Sequence, residues 1–244
     1  MKIAAISDIH GNIAALDAVL ADAAARQVDQ VVNLGDICSG GLFPRETADR
    51  LMPLDLPTIS GNHERQLFDR APERMGLSDR HAADTLRPEQ LAWLAALPKT
   101  LWLRDDVLLV HGTPDCDLTY FLETVTEEGI RAATPAEVEQ RLSGVDASVI
   151  LCGHTHLQHV VTLDTGTMIV NPGSVGLPAY DDSLPYPHLV ESGSPHARYA
   201  ILSDEGGGWS VDLLCVDYDW EQAARDAEAN GRADWSRALR TGRV

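Results

Sequence analysis

Basic residues are scarce in this chain. Its 244 residues include 19 Lys and Arg against 37 Asp and Glu, a formal charge of −18, and only Lys2 and Lys99 are lysines. A face basic enough for non-specific nucleic-acid binding or for an anionic membrane is hard to build from so few cations. A nuclease of long strands, which needs a basic groove, is disfavoured for the same reason. Closely spaced cysteines are also missing. Cys38, Cys116, Cys152 and Cys215 stand far apart, which suits neither a disulfide framework nor a zinc knuckle. Long hydrophobic runs are absent too. The opening apolar stretch stops at Asp8, too soon for a signal peptide, and none later approaches the ~20 residues that span a bilayer. These absences predict a reduced, cytoplasmic protein with no membrane partner. The carboxylate excess leaves room for a local basic pocket and favours bound divalent cations.

Hydrophobic residues make up 44% of the chain, enough for a sizeable core. The length suits one large or two small domains. No linker, internal repeat or low-complexity block divides it, so a single domain over residues 1–244 is expected. The opening reads β-α-β-α-β. Apolar strands are expected at 2–7, 31–34 and 58–60, with helices at 13–26 and 44–52, which implies parallel pairing and right-handed crossovers. Asn12 is placed to cap the first helix and Pro44 to open the second. Residues 63–97 look helical, with Pro88 starting the last helix. Residues 100–103 and 106–111 read as a hairpin, 117–143 as polar helix interrupted by Pro135, and 147–152 as a buried strand. A second hairpin is expected at 159–163 and 167–170, a long loop at 172–197, and a third hairpin at 198–203 and 208–216. One or two helices end the chain, between 219 and 241. A parallel half followed by a hairpin-rich half fits an α/β arrangement: two mixed sheets packed face to face, with helices outside both.

His, Asp and Asn gather at the strand ends. Asp8 and His10 follow the first strand, Asp36 the second, Asn62 and His63 the third, His111 the 106–110 strand, and His154 and His156 the 147–152 strand. Carboxyl-terminal strand ends of α/β sheets converge on one crevice. Alternation along an extended segment would put Asp8 and His10 on one side, and likewise His154 and His156. One Asp or His at a strand end is more often a cap or turn former. Five successive strand ends carrying such residues are not explained that way. The donors are nitrogen and oxygen, which suits manganese, iron, zinc, cobalt or nickel. So many donors suit two cations sharing a carboxylate, the arrangement that clamps a phosphoryl group.

The blocks Asp8-Ile9-His10-Gly11-Asn12, Gly35-Asp36, Gly61-Asn62-His63-Glu64, His111-Gly112 and Gly153-His154-Thr155-His156 resemble the calcineurin-like metallophosphoesterase superfamily. The later segment from Asn171 to Pro178, and Pro44-Arg45-Glu46 after Gly35-Asp36, resemble its small bacterial phosphodiesterase branch, which also contains dinucleoside-polyphosphate hydrolases. The resemblance implies a four-layer αββα sandwich. It implies two divalent cations, manganese first among the candidates. Asp8, His10, Asp36 and His156 would hold one, and Asp36, Asn62, His111 and His154 the other, with Asp36 bridging. His63 would contact the phosphate, with Asn62, and protonate the leaving oxygen as general acid. The implied reaction is in-line attack of a metal-bound hydroxide on a small phosphodiester or nucleotide.

Protein phosphatases of this superfamily carry an Asp and an Arg three and four positions after the bridging Asp. Here those positions are Ser39 and Gly40. The carboxylate expected to orient His63 and the guanidinium expected to grip a phosphate dianion are both missing there. That disfavours a protein phosphatase, while a monoanionic diester, or a pyrophosphate gripped elsewhere, suffers less from the loss. Dinucleoside-polyphosphate hydrolysis and phosphomonoester hydrolysis are the alternatives within the class, and a non-catalytic metal-binding scaffold is the alternative outside it. Arg45 and Arg65, just downstream of the ligand blocks, are candidates for substrate binding. Residues 113–145 and 177–197 are candidates for a cap. Tyr180, Tyr186 and His188 lie in the second segment and could stack on a base or pack the loop onto the body. Oligomeric state is left open.

Overall fold

Short apolar strands alternating with helices build the first half, as their pattern requires. In the computed structural model, which describes residues 1–244, β1 (Lys2–Ile6) is followed by α1 (Ile13–Ala25), β2 (Gln30–Asn33) and α2 (Pro44–Leu51). The Asn12 side chain accepts the Ala15 N–H and caps α1, and Pro44 opens α2. The strand expected at 58–60 is a single parallel bridge between Thr58 and Asn33. Pro57 has no N–H to extend the ladder, and Gly61 already begins α3 as its N-cap. The helices α3 (Asn62–Asp69), α4 (Leu77–Thr85) and α5 (Pro88–Ala95) follow, then the antiparallel pair β3 (Leu101–Arg104) and β4 (Val107–Leu109).

The middle departs from the expected helix over 117–143. Residues Glu123–Thr126 (β5) and Gly129–Ala132 (β6) form a hairpin instead, and only α6 (Pro135–Arg141) is helical. The β-branched residues Thr124, Val125 and Thr126 favour a strand, and Gly129, at φ 118°, takes a conformation closed to other residues. Next come β7 (Val149–Leu151), β8 (Gln158–Thr162) and β9 (Met168–Pro172). The loop expected at 172–197 also contains a hairpin, β10 (Ala179–Asp182) with β11 (His188–Glu191). The chain ends with β12 (Ala197–Ser203), β13 (Ser210–Val216), α7 (Trp220–Ala229) and α8 (Ala233–Thr241).

The two large sheets are both mixed. One has the order β13-β12-β1-β2 with only β1 and β2 parallel; the other has the order β3-β4-β7-β9-β8 with β4, β7 and β9 parallel. Period-two alternation along β1 divides its side chains between two cores. Ile3 and Ala5 face the second sheet and pack with Val107, Leu109, Val149 and Leu151. Ala4 and Ile6 face outward against α1 and its neighbours. Leu108 and Ile150 point to the other outer face, beneath α6 and Phe121. The layers are therefore helix, sheet, sheet, helix. Helices α7 and α8 pack on Leu42, Leu177 and Ala179.

Candidate metal centre

The loops after β1 and β2 are zipped together. Asp8 N–H donates to Gly35 O at 3.0 Å, His10 N–H to Asp36 O at 3.0 Å and Gly11 N–H to Ile37 O at 2.9 Å. A third strand-end loop joins them, because Ser174 Oγ donates to Asp8 O at 2.8 Å. Glu64 ties α3 to the same place: its carboxylate accepts the N–H groups of Asp36, Ile37 and Gly61. Asp8, His10, Asp36, His154 and His156 all have φ between 51° and 70°. The strands end at Ile6 and Leu151, so left-handed turns, rather than extended alternation, aim these side chains inward. Such a conformation costs on the order of 1–3 kcal/mol per non-glycine residue and clusters at functional sites. Gly61 is needed for close approach, since a Cβ there would meet Asp36 Oδ1 at 2.2 Å.

The side chains converge in two groups. Asp8, His10 and His156 offer ligand atoms within 4.8 Å of one another, and so do Asp36, His111 and His154. Asn62 joins the second group, its Oδ1 3.1 Å from His111 Nε2. All seven residues expected as ligands are thus brought together, and His63 lines the same cavity.

The hydrogen bonds around these rings fit divalent cations. His10, His111 and His156 each face a backbone carbonyl through Nδ1 at 2.7 Å, on Ser39, Leu34 and Leu177. A carbonyl only accepts, so Nδ1 carries a proton in all three rings, and Nε2 is the atom each ring has left to offer a cation once it is neutral. The Nε2 atoms of His10 and His156 stand 3.1 Å apart, with Asp8 Oδ1 3.4 Å from the latter. His111 Nε2 faces Asn62 Oδ1 and Asp36 Oδ2, both at 3.1 Å. Lone pairs aimed at one another in a buried site call for a positive charge between them. Backbone carbonyls on the far ring nitrogen are also the usual support for a ligating histidine. Burial and the neighbouring His156 push His10 down to about 3, and burial with His111 pushes His154 down to about 4. Both rings are therefore neutral near pH 7. Burial opposes charge on Asp36, but His111 and His63 outweigh it and hold the carboxyl well below its usual range. Burial likewise opposes a proton on His111, yet Asp36 raises it to about 10, so cation binding there releases a proton.

His63 has a carboxylate partner after all. Its Nδ1 lies 2.6 Å from Asp79 Oδ1, and the Asp79 side chain is 2% exposed. Ser39 leaves the expected position without a carboxylate, and α4 supplies one from a different element. Asp79 belongs to no motif; it is one of two acids on α4, and the buried one. Burial opposes a proton on His63, but Asp36 and Asp79 raise it to about 9.

The two downstream arginines lie elsewhere. Arg45 donates to the Thr85 carbonyl on the surface. Arg65 is held by both oxygens of Asp117, at 2.6 and 2.9 Å, and lines a separate small cavity. Neither reaches the main cavity, because each guanidinium is already engaged. That cavity, about 1070 Å³, opens over both ligand groups and is closed on its other side by the 118–125 segment, the β10 hairpin and α8. Tyr180 packs edge-on against His156, ring centroids 4.7 Å apart, and its hydroxyl donates to His154 O at 3.2 Å. It therefore serves the body of the protein. Tyr186 is exposed.

The family model of the calcineurin-like phosphoesterase superfamily domain matches residues 1–189. The chain belongs to the calcineurin-like phosphoesterase superfamily. A metallophosphoesterase of Sphaerobacter thermophilus has a similar structure, with a TM-score of 0.76, 25% identity and 99% of each chain covered. An uncharacterised protein of Methanocaldococcus jannaschii is 25% identical over 259 residues, covering 96% of this chain and 94% of its own length. The calcineurin-like phosphoesterase described here is a metal-dependent phosphoric ester hydrolase. It has no helix long and apolar enough to cross a membrane.

Proposed function

We propose that the chain is a dinuclear phosphodiesterase acting on small phosphodiesters or nucleotides. The observation that carries this reading is the convergence of the Nε2 atoms of His10, His156 and His111 on Asp8, Asp36 and Asn62. Asp8, His10, Asp36 and His156 would hold one cation, and Asp36, Asn62, His111 and His154 the second, with Asp36 shared. Manganese is the proposed metal, with iron, zinc, nickel or cobalt as alternatives. Two divalent cations there would supply Lewis acidity toward the phosphoryl oxygens and acidity to the attacking water.

His63 and Asp79 do the proton work. Hydrogen bonding of Nδ1 to Asp79 fixes the ring and leaves Nε2 to carry the proton into the cavity. His63 donates that proton to the leaving oxygen, and Asn62 helps position the phosphoryl group. A pure metal-binding scaffold has no use for a histidine oriented by a buried carboxylate, which speaks against that alternative. A guanidinium beside the ligands would strengthen the grip on the second charge of a phosphomonoester. Gly40 cannot provide it, and Arg45 and Arg65 are engaged elsewhere. Residues 113–145 and 177–197 act as a cap within a single domain. Leu118, Tyr120, Tyr180 and Leu184 from these segments line the cavity and limit substrate size.

Stripping the protein with chelator and restoring it with manganese tests the reading. Hydrolysis of bis-p-nitrophenyl phosphate is expected to return, at a higher kcat/KM than for p-nitrophenyl phosphate. Preference for the monoester would overturn the diesterase assignment.

A further inference from the structure

Acids outnumber bases almost two to one in this chain, so an arginine without a partner stands out. Ten of its arginines pair with Asp or Glu. Arg45, Arg141 and Arg198 are held by backbone carbonyls. The side chains of Arg70, Arg74, Arg237 and Arg243 make no hydrogen bond or ion pair, and two of these four, Arg70 and Arg237, line the cavity over the candidate metal centre.

Their positions set a distance. Arg70 is the C-cap of α3, whose first two residues are Asn62 and His63. At about 1.5 Å of rise per residue, Arg70 begins on the order of 10 Å along the helix from the metal centre. Arg237 comes from α8, beyond the residues that the family model matches. The surface between is apolar: Leu177, Ala179, Trp235 and Ala238 line the same cavity, and the Trp235 ring lies 5.9 Å from that of His10. Gly40 makes this possible, since a Cβ there would meet His10 O at 2.0 Å and the Trp235 ring at 2.8 Å. The carboxylates of the cavity are mostly engaged. Asp234 is held by Arg232, Glu123 faces His159, and Asp182 accepts the Leu184 N–H. Asp181, on the β10 hairpin, has no partner.

We infer that Arg70 and Arg237 form a subsite for a second anionic group of the substrate, remote from the reacting phosphorus. The substrate class is then phosphoesters with an apolar arm that ends in a phosphate or carboxylate. This inference rests on the proposed diesterase reading and names the substrate of the same site. A cavity of about 1070 Å³ is at the upper end for ligand pockets and far exceeds a bare phosphate. Two free guanidiniums would recognise charge at its outer end.

The test compares hexyl phosphate with hexane-1,6-diol bisphosphate, which differ only by the second phosphate. Dissociation constants are measured by calorimetry on manganese-loaded protein. The bisphosphate is expected to bind at least about tenfold more tightly, the scale of one charge-assisted contact. In the Arg70→Gln/Arg237→Gln variant the ratio should fall to about two, the statistical value for a ligand with two equivalent ends. Hexyl phosphate is the internal control, so a general loss of affinity cancels. A wild-type ratio near two, or a ratio undiminished in the variant, overturns the subsite. Metal-dependent hydrolysis of bis-p-nitrophenyl phosphate is read separately, and its absence would count against the diesterase reading instead.

Discussion

The two walls of the cavity are built differently. The wall that bears the metal ligands consists of strand-end loops with five non-glycine residues in left-handed conformation and side chains that are nearly all buried. The facing wall consists of an ordinary helix, α8, and an ordinary hairpin, β10 with β11. Most of its charged groups, Asp181, Asp182, Asp234 and Arg237, are exposed. The first wall must hold donors at fixed positions against their own repulsion, and strained backbone over-determined by Glu64 and the interloop hydrogen bonds does that. The second wall needs only to present apolar surface and charge, which regular elements supply without strain. The contrast teaches that the reaction and its selectivity are carried by different parts of the chain.

This comparison yields graded expectations. Asp36→Asn strikes the first wall where Asp36 faces His111 and accepts the His63 N–H. It is expected to lower kcat/KM by at least about a thousandfold and to lower metal content, read by elemental analysis. An activity loss below tenfold would mean that Asp36 is not shared between two cations. Asp79→Asn keeps the shape of α4 and removes one of the three carboxylates that raise His63. A loss of about tenfold in kcat is expected, with metal content unchanged. Because the folded value for His63, about 9, would fall, the alkaline limb of the pH–rate profile should move to lower pH. A limb that stays in place would separate Asp79 from proton transfer. The smallest effect lies outside both walls. His159 is raised by its hydrogen bond to Glu123, with burial opposing. The folded value exceeds the unfolded one, so the stabilisation is complete below about pH 6.5 and is lost as pH rises through the folded value. His159→Gln should therefore cost below about 1 kcal/mol at pH 6 and less at pH 9, with hydrolysis unaffected. Chemical denaturation at the two pH values checks it.

The first wall was legible in the sequence and the second was not, for a physical reason. Donors at strand ends must sit beside residues that allow tight turns, so Asp8-Ile9-His10-Gly11, Gly35-Asp36 and Gly153-His154-Thr155-His156 are local signatures. The parallel α/β opening was legible because its strands are continuous apolar runs. Asp79 was hidden because its partner His63 stands sixteen residues away on another helix, where neighbouring sequence says nothing of contact. The hairpins at 123–132 and 179–191 were hidden because their strands are four residues long, largely polar and paired only with themselves, too short for an alternating pattern to stand out. Arg70 and Arg237 line one cavity from distant parts of the chain, while Arg45 and Arg65, adjacent in sequence to the ligand blocks, are held by other partners.

Metal stoichiometry decides whether two cations act together in the cavity. Chelator-stripped protein is titrated with manganese while bound metal and hydrolysis of bis-p-nitrophenyl phosphate are followed on the same samples. Activity is expected to rise to its plateau only as a second equivalent binds per chain. Full activity at one equivalent, or two bound equivalents with no hydrolysis, would contradict it.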